Sequence, residues 1–194
     1  MFGKQKIFWY DLETSGLEED KHAILSLSGI IEIDGRIVDK IDLTMKPFKD
    51  DLISQEALDI NGFTMEQIKT FEHPEIAFRR LIKFLSKHIN RYDKKDKLTL
   101  AGYNIVKFDI PFLEQLFLKC NDVYFGSWVN GEPLDVYQFV LIMKKLGVVT
   151  SDSTKLEVIA QDLNISLKAH DASSDILATR EIYYKLLDKI EIKK

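Results

Sequence analysis

The sequence predicts an α/β chain, a mixed sheet with helices packed on it. Two observations carry that reading. Apolar runs at residues 7–10, 23–33 and 36–45 read as three strands, and the Asp34-Gly35 pair between the last two is the strongest short-range hairpin signal. Beyond them, stretches with helical apolar spacing alternate with short buried runs, the pattern of helices laid on a sheet. The three strands form an antiparallel meander. Pro47, with no N–H to give a ladder, ends it.

The later elements follow in order. Ser54 is placed to cap a short helix closed by Asn61-Gly62, and residues 64–67 carry the spacing of a capping box. From Pro74, Ile76, Phe78, Leu81, Ile82, Leu85 and Ile89 keep helical spacing. Arg79, Arg80, Lys83 and Lys87 among them read as a solvated face. Residues 91–97 are a charged surface connection, and 98–103 a short buried strand. A helix over 110–120 tolerates Pro111 in its first turn. The loop at 126–133 encloses one brief strand at Trp128-Val129. Residues 134–136 are the last strand, 137–146 a helix stopped at Gly147, and 156–163 and 172–187 two more helices. No repeat or linker interrupts the 194 residues, so one domain over 1–194 is expected.

Composition excludes several classes. Cys120 is the single cysteine, which rules out an intramolecular disulfide and a cysteine-rich zinc site; in its apolar setting it reads as a buried, inert thiol. No run approaches the ~20 apolar residues of a membrane span, and the start is too short in apolar residues for a signal peptide. Cytoplasmic residence with no membrane partner is the expectation. A net charge of −4 argues against nucleic-acid binding by the surface at large, yet leaves room for a nucleic-acid enzyme whose acids gather around cations.

Chemistry is concentrated in three places. Asp11 and Glu13 follow the first apolar run two residues apart, so in a strand they share a face, about 7 Å apart along the backbone. Two such carboxylates serve a cation or share a proton, and hard oxygen donors suit Mg²⁺ or Mn²⁺ better than Zn²⁺. Asp109 follows the buried strand at 98–103, beyond a strand end where ligands gather in α/β sheets; taken alone it also reads as a helix cap. Asp175, set among Ile176, Leu177 and Ala178, is a carboxylate on an apolar helix face and calls for a partner. His170 belongs to the loop before that helix, with Asp171 as the cap.

In this order and spacing, the three segments resemble the DEDDh 3′→5′ exonucleases, which include the proofreading subunit of bacterial replicative polymerase, ribonuclease T and oligoribonuclease. Asp11-Leu12-Glu13-Thr14 matches the first motif. Asn104, Phe108 and Asp109 match the second, and His170 with Asp175 the third. Residues 56–62 and 155–160 also look like intervening segments of the family. Departures are small: Asn61 stands where many members carry His, and Ser15 where a second Thr is common.

The resemblance implies a ribonuclease H-like fold, with a five-stranded mixed sheet of three meander strands and two parallel ones. It implies that Asp11, Glu13, Asp109 and Asp175 hold two divalent cations, Mg²⁺ or Mn²⁺, about 3.5–4 Å apart. His170, with a reference pKa near 6.5, is the implied general base. Thr14, Leu17, Asn104 and Phe108 are the implied substrate contacts: Thr14 at the terminal 3′-hydroxyl, Leu17 and Phe108 against the last base and sugar. Lys107 is a further candidate for a phosphate. Aromatic–base stacking is sequence-tolerant, so little sequence preference is expected. The implied partner is single-stranded nucleic acid or a frayed 3′ end, DNA or RNA, releasing 5′-mononucleotides. Two other roles stand beside this one: a proofreading or adaptor subunit docked on a polymerase or forming a homodimer, and a pseudo-enzyme that only binds nucleic acid.

Overall fold

The computed structural model describes residues 5–167 and 172–190. A five-stranded mixed sheet runs through it in the order β3-β2-β1-β4-β5, built from β1 (Lys6–Thr14), β2 (Ile24–Ile33), β3 (Arg36–Thr44), β4 (Thr99–Gly102) and β5 (Leu134–Asp135). β1–β3 are the predicted antiparallel meander, and β4 and β5 add parallel to β1 and β4. The hairpin turns at Asp34 and Gly35, both with positive φ, the backbone that a tight two-residue turn requires.

Alternation along β1 divides the core. Phe8, Tyr10 and Leu12 face α3 (Pro74–Leu85) and α4 (Asp109–Lys119), packing with Leu81, Phe112 and Leu116. Ile7 and Trp9 face the opposite layer of α5 (Val136–Lys145), α6 (Leu156–Asp162) and α7 (Ala172–Leu187). By the same period of two, Asp11 and Glu13 project toward that second layer. The short α1 (Gln55–Asn61) and α2 (Met65–Ile68) cover the meander through Leu58 and Ile68 against Leu25.

Several predicted boundaries move. β1 runs on to Thr14, so the two acids lie within the strand, paired opposite Ser28 and Ser26, and a register shift follows between Glu13 and Thr14. The last strand is two residues long because Asp135 caps α5, which starts one residue early at Val136. Ser54 is at the cap position of α1 but its side chain makes no capping bond, whereas Thr64 forms the full capping box of α2. The brief strand at Trp128-Val129 reduces to an isolated bridge between Leu98 and Val129, after a 3₁₀ turn at Phe125–Ser127. Among the described residues no helix is long and apolar enough to cross a membrane.

α7 is fastened to the sheet by a buried acid. Glu32, 1% exposed on β2, accepts from Trp9 Nε1 at 3.2 Å and is also bonded by Arg180 and the Tyr184 hydroxyl. A buried carboxylate persists when its lone pairs are taken up in this way. The consequence is a fixed height for α7, and so for Asp175 in its first turn.

Candidate active site

The parallel strands β1, β4 and β5 end on the same side of the sheet, where α/β proteins place their ligands. β4 pairs with β1 only as far as Trp9–Ala101. Past that point the β4 ladder ends, and β1, still paired with β2 on its other edge, has no further strand partner on this one. A carboxylate fills the gap: Leu12 N donates to Asp109 Oδ1 at 3.2 Å. Asp109 is thereby not the helix cap. Phe108 occupies the N-cap position of α4 and Asp109 the first helical one, its carboxylate turned across to β1.

Asp109 is 4% exposed. Burial pushes its carboxyl up to about 7; the amides of Leu12 and of Asp109 itself pull it down, and the charges of Asp135 and Glu13 raise it again. Asp11 lies well above the usual carboxylate range, because of burial first and then the charges of Asp109, Glu13 and Asp175. Three other acids acting on one carboxylate place all four in a single electrostatic neighbourhood. Asp11 and Asp175 also line one narrow crevice, with Gly102, Tyr103 and Thr179.

The donor set is four hard carboxylate oxygens sources on one strand and two helix starts, which fits Mg²⁺ or Mn²⁺. Among the described residues no group of three or more His, Cys, Asp or Glu already stands in ligating geometry. The acids are gathered but not closed into a shell. Like charges repel at this range, and a cation held between the carboxylates would offset that repulsion.

Beside the acids, a cleft of about 350 Å³ is lined by Glu13, Thr14, Leu17, Ile60, Asn61 and Phe108, among others. Leu17 is 80% exposed and Ile60 68%, apolar surface facing an open cleft. Phe108 is held from behind by Phe112, ring centroids 5.0 Å apart. The Thr14 hydroxyl donates to Gly16 O at 2.7 Å, which tightens the turn that presents Leu17. Gly16 is required there: a Cβ would come within 2.0 Å of the His22 ring. Asn61, the departure noted in sequence, ties α1 to the end of β1 by donating from Nδ2 to Thr14 O at 3.0 Å, while its Oδ1 accepts from Phe63 N at 3.0 Å.

The predicted residues therefore fall into three sets. Asp11, Glu13, Asp109 and Asp175 come together; Thr14, Leu17 and Phe108 line the adjoining cleft. Asn104 takes a left-handed backbone, φ 63°, and its N–H is bound to Asp135 at 2.9 Å. His170 and Asp171 lie outside the described residues. Sequence reasoning missed Tyr103 and Thr179 in the crevice, His22 in the cleft, and Asp135 behind the loop. Of these, Asp135 alone carried a signal, an acid directly before a helix.

Comparison with known proteins places the chain. No curated protein sequence matches it. Among solved structures it is similar to E. coli exonuclease I in complex with a dT13 oligonucleotide, at 22% identity and TM-score 0.77 over 95% of this chain and 41% of that one. It is similar to the zinc-bound form of the E. coli ExoI–ssDNA complex, at 19% and 0.79 over 96% and 40%, and to an ExoI/SSB-Ct complex, at 18% and 0.79 over 95% and 41%. The chain thus spans about two fifths of the length of those structures, and the likeness shows a shared ribonuclease H-like fold. The profile of the RNase T exonuclease family matches residues 8–183, a span that takes in all four acids and the cleft. The chain belongs to that family, the DEDD 3′→5′ exonucleases.

Proposed function

We propose that residues 1–194 act as one divalent-metal-dependent domain that hydrolyses phosphodiester bonds from the 3′ end of single-stranded nucleic acid and releases 5′-mononucleotides. The observation that carries this is the neighbourhood of Asp11, which shares a crevice with Asp175 and whose carboxyl is raised by burial first and then by the charges of Asp109, Glu13 and Asp175. A phosphodiester is an anion, and four acids repel it unless cations lie between. Asp11, Glu13, Asp109 and Asp175 are the residues that would hold two Mg²⁺ or Mn²⁺ ions. When bound, such ions polarise the attacking water and stabilise the attacking and leaving oxygens of an in-line displacement.

The protein's own groups do the rest. Leu17, Ile60 and Phe108 offer apolar surface to the terminal nucleoside, in a cleft that Thr14 also lines. Action from a 3′ terminus rather than at an internal bond is carried over from the family to which the chain belongs. His170, carried two residues before the start of α7, is the proposed general base, which assigns the chain to the His-type subgroup. Single-stranded DNA is the favoured substrate, since E. coli exonuclease I of the same fold has been solved with a dT13 oligonucleotide.

The test compares 5′-labelled single-stranded DNA, duplex DNA with a mismatched 3′ end, and short RNA, each with Mn²⁺ and with EDTA. Stepwise shortening from the 3′ end that requires Mn²⁺ is the expected result. Internal cutting, or no metal-dependent hydrolysis of any of the three, contradicts the proposal.

A further inference from the structure

One buried carboxylate beside the site has no part in the chemistry above. Asp135, 9% exposed, ends β5 and is paired with Gly102 at the end of β4. Its Oδ1 accepts from Asn104 N at 2.9 Å and from Tyr137 N at 3.0 Å; its Oδ2 accepts from Val106 N at 3.2 Å. One side chain therefore caps α5 and holds two amides, two residues apart, in the segment at 104–108.

That segment needs holding. Asn104 has φ 63°, a conformation that persists where the surroundings impose it. Gly102 before it runs so close to β1 that a Cβ would lie 2.8 Å from Tyr10 O. Ile110 N closes the far side of the loop on Ile105 O at 2.9 Å. The next residue after the loop's Phe108 is Asp109, which must arrive at β1 oriented to receive Leu12 N. Asp135 does this at an electrostatic disadvantage, since its charge helps to hold the Asp109 carboxyl up. A neutral amide would avoid that repulsion, but it has only one accepting atom, whereas the loop and the cap together use two.

We infer that Asp135 is a positioning residue: its carboxylate fixes the loop at 104–108 so that Asp109 meets β1 beside Asp11. The geometric link stands on the hydrogen bonds alone; its consequence for metal binding rests on the function proposed above.

The Leu12 amide reports on Asp109 without any reference to catalysis, so it is the natural probe. Two variants divide the roles of Asp135. Asp135→Asn retains one accepting oxygen, and Asp135→Ser keeps a good helix cap while falling short of the loop. Amide hydrogen exchange on the metal-free chain is compared with wild type and with Ile68→Ala, a core truncation under α2 away from the loop. In both Asp135 variants, exchange at Asn104, Val106 and Leu12 is expected to rise about tenfold or more through local opening, with Leu12 unaffected in Ile68→Ala beyond its global loss. Mn²⁺ affinity by calorimetry is expected to fall by a similar factor. Loosening of Asn104 and Val106 with Leu12 still protected overturns the inference, as does a change at Leu12 no larger than in Ile68→Ala. A wild-type chain that neither binds Mn²⁺ nor trims a 3′ end removes the proposed function, while the Leu12 amide still decides the link.

Discussion

The Leu12 amide and the Asp109 carboxylate meet at 3.2 Å across 97 residues of sequence. The bond joins the strand that carries Asp11 and Glu13 to the helix that carries Asp109, at the point where β4 stops pairing with β1. A strand amide at that place needs an acceptor, and the acceptor supplied is one of the four acids. The sheet's missing hydrogen bond and the assembly of the site are thus one feature.

Asp11 is held above the usual carboxylate range by burial and by three other acids. Asp11→Asn removes a charge from that neighbourhood at nearly constant shape. In EDTA the variant is expected to melt at a higher temperature than wild type, and its 3′-exonuclease rate to fall by orders of magnitude. A thermal scan and an end-labelled assay on the same preparation check both. Unchanged turnover would remove Asp11 from the mechanism.

Stability should depend on pH in an unusual direction. Asp109 is raised in the folded chain from 3.8 to about 7, so between those values the native state binds more protons than the unfolded one. Native stability therefore falls as pH rises through that window, by up to about 1.4 kcal/mol per unit for each such group. Asp11 acts in the same direction. Melting in EDTA is expected to be lower at pH 7.5 than at pH 5.5, and Mn²⁺ to reverse the slope because it binds the deprotonated acids. A stability that climbs with pH in EDTA contradicts the crowding of the acids.

Leu17 and Phe108 present apolar surface to the cleft beside Glu13. Stacking of an aromatic ring on a base is worth about 1–3 kcal/mol, so Phe108→Ala should raise KM for single-stranded DNA between about fivefold and about 150-fold, and Leu17→Ala, which removes apolar contact only, should raise it by less. The rate at saturating substrate should change far less. Steady-state kinetics on an oligonucleotide series separates the two parameters, and a loss confined to kcat would argue against a nucleoside subsite.

Arg180 is a partner of the buried Glu32, along with Tyr184 and Trp9. Arg180→Ala leaves Glu32 without its counter-charge and should destabilise the fold by about 3 kcal/mol. Denaturant unfolding measures that directly. Because the same contact sets the height of α7, Mn²⁺ affinity should weaken alongside stability.

Much of this was legible in sequence, for identifiable reasons. Asp34-Gly35 announced the hairpin through the backbone that only a few residues adopt, and the period of two in β1 put Asp11 and Glu13 on one face. A carboxylate among Ile176, Leu177 and Ala178 called for a partner, and the family resemblance grouped Asp175 with Asp11. What was not legible depends on contacts distant in sequence. Asp109, which the resemblance set among the four acids, read by itself as a cap because an acid at a helix start usually is one; the Leu12 amide that it accepts from is 97 residues away. Asp135 read as part of a strand; its place before a helix signals the cap on Tyr137, but its other two amide partners come from a separate loop and leave no local pattern. The Glu32 anchor of α7 was hidden in the same way, since its partners Trp9, Arg180 and Tyr184 lie far from it in sequence.

Asp11, Glu13, Asp109 and Asp175 are the proposed holders of two divalent cations. Equilibrium Mn²⁺ binding, followed by calorimetry on wild type and on an Asp11→Asn/Asp175→Asn double variant, is the decisive measurement. Two ions per wild-type chain and loss of both in the double variant are expected. No binding to wild type, or equal binding after both acids are replaced, would contradict that proposal.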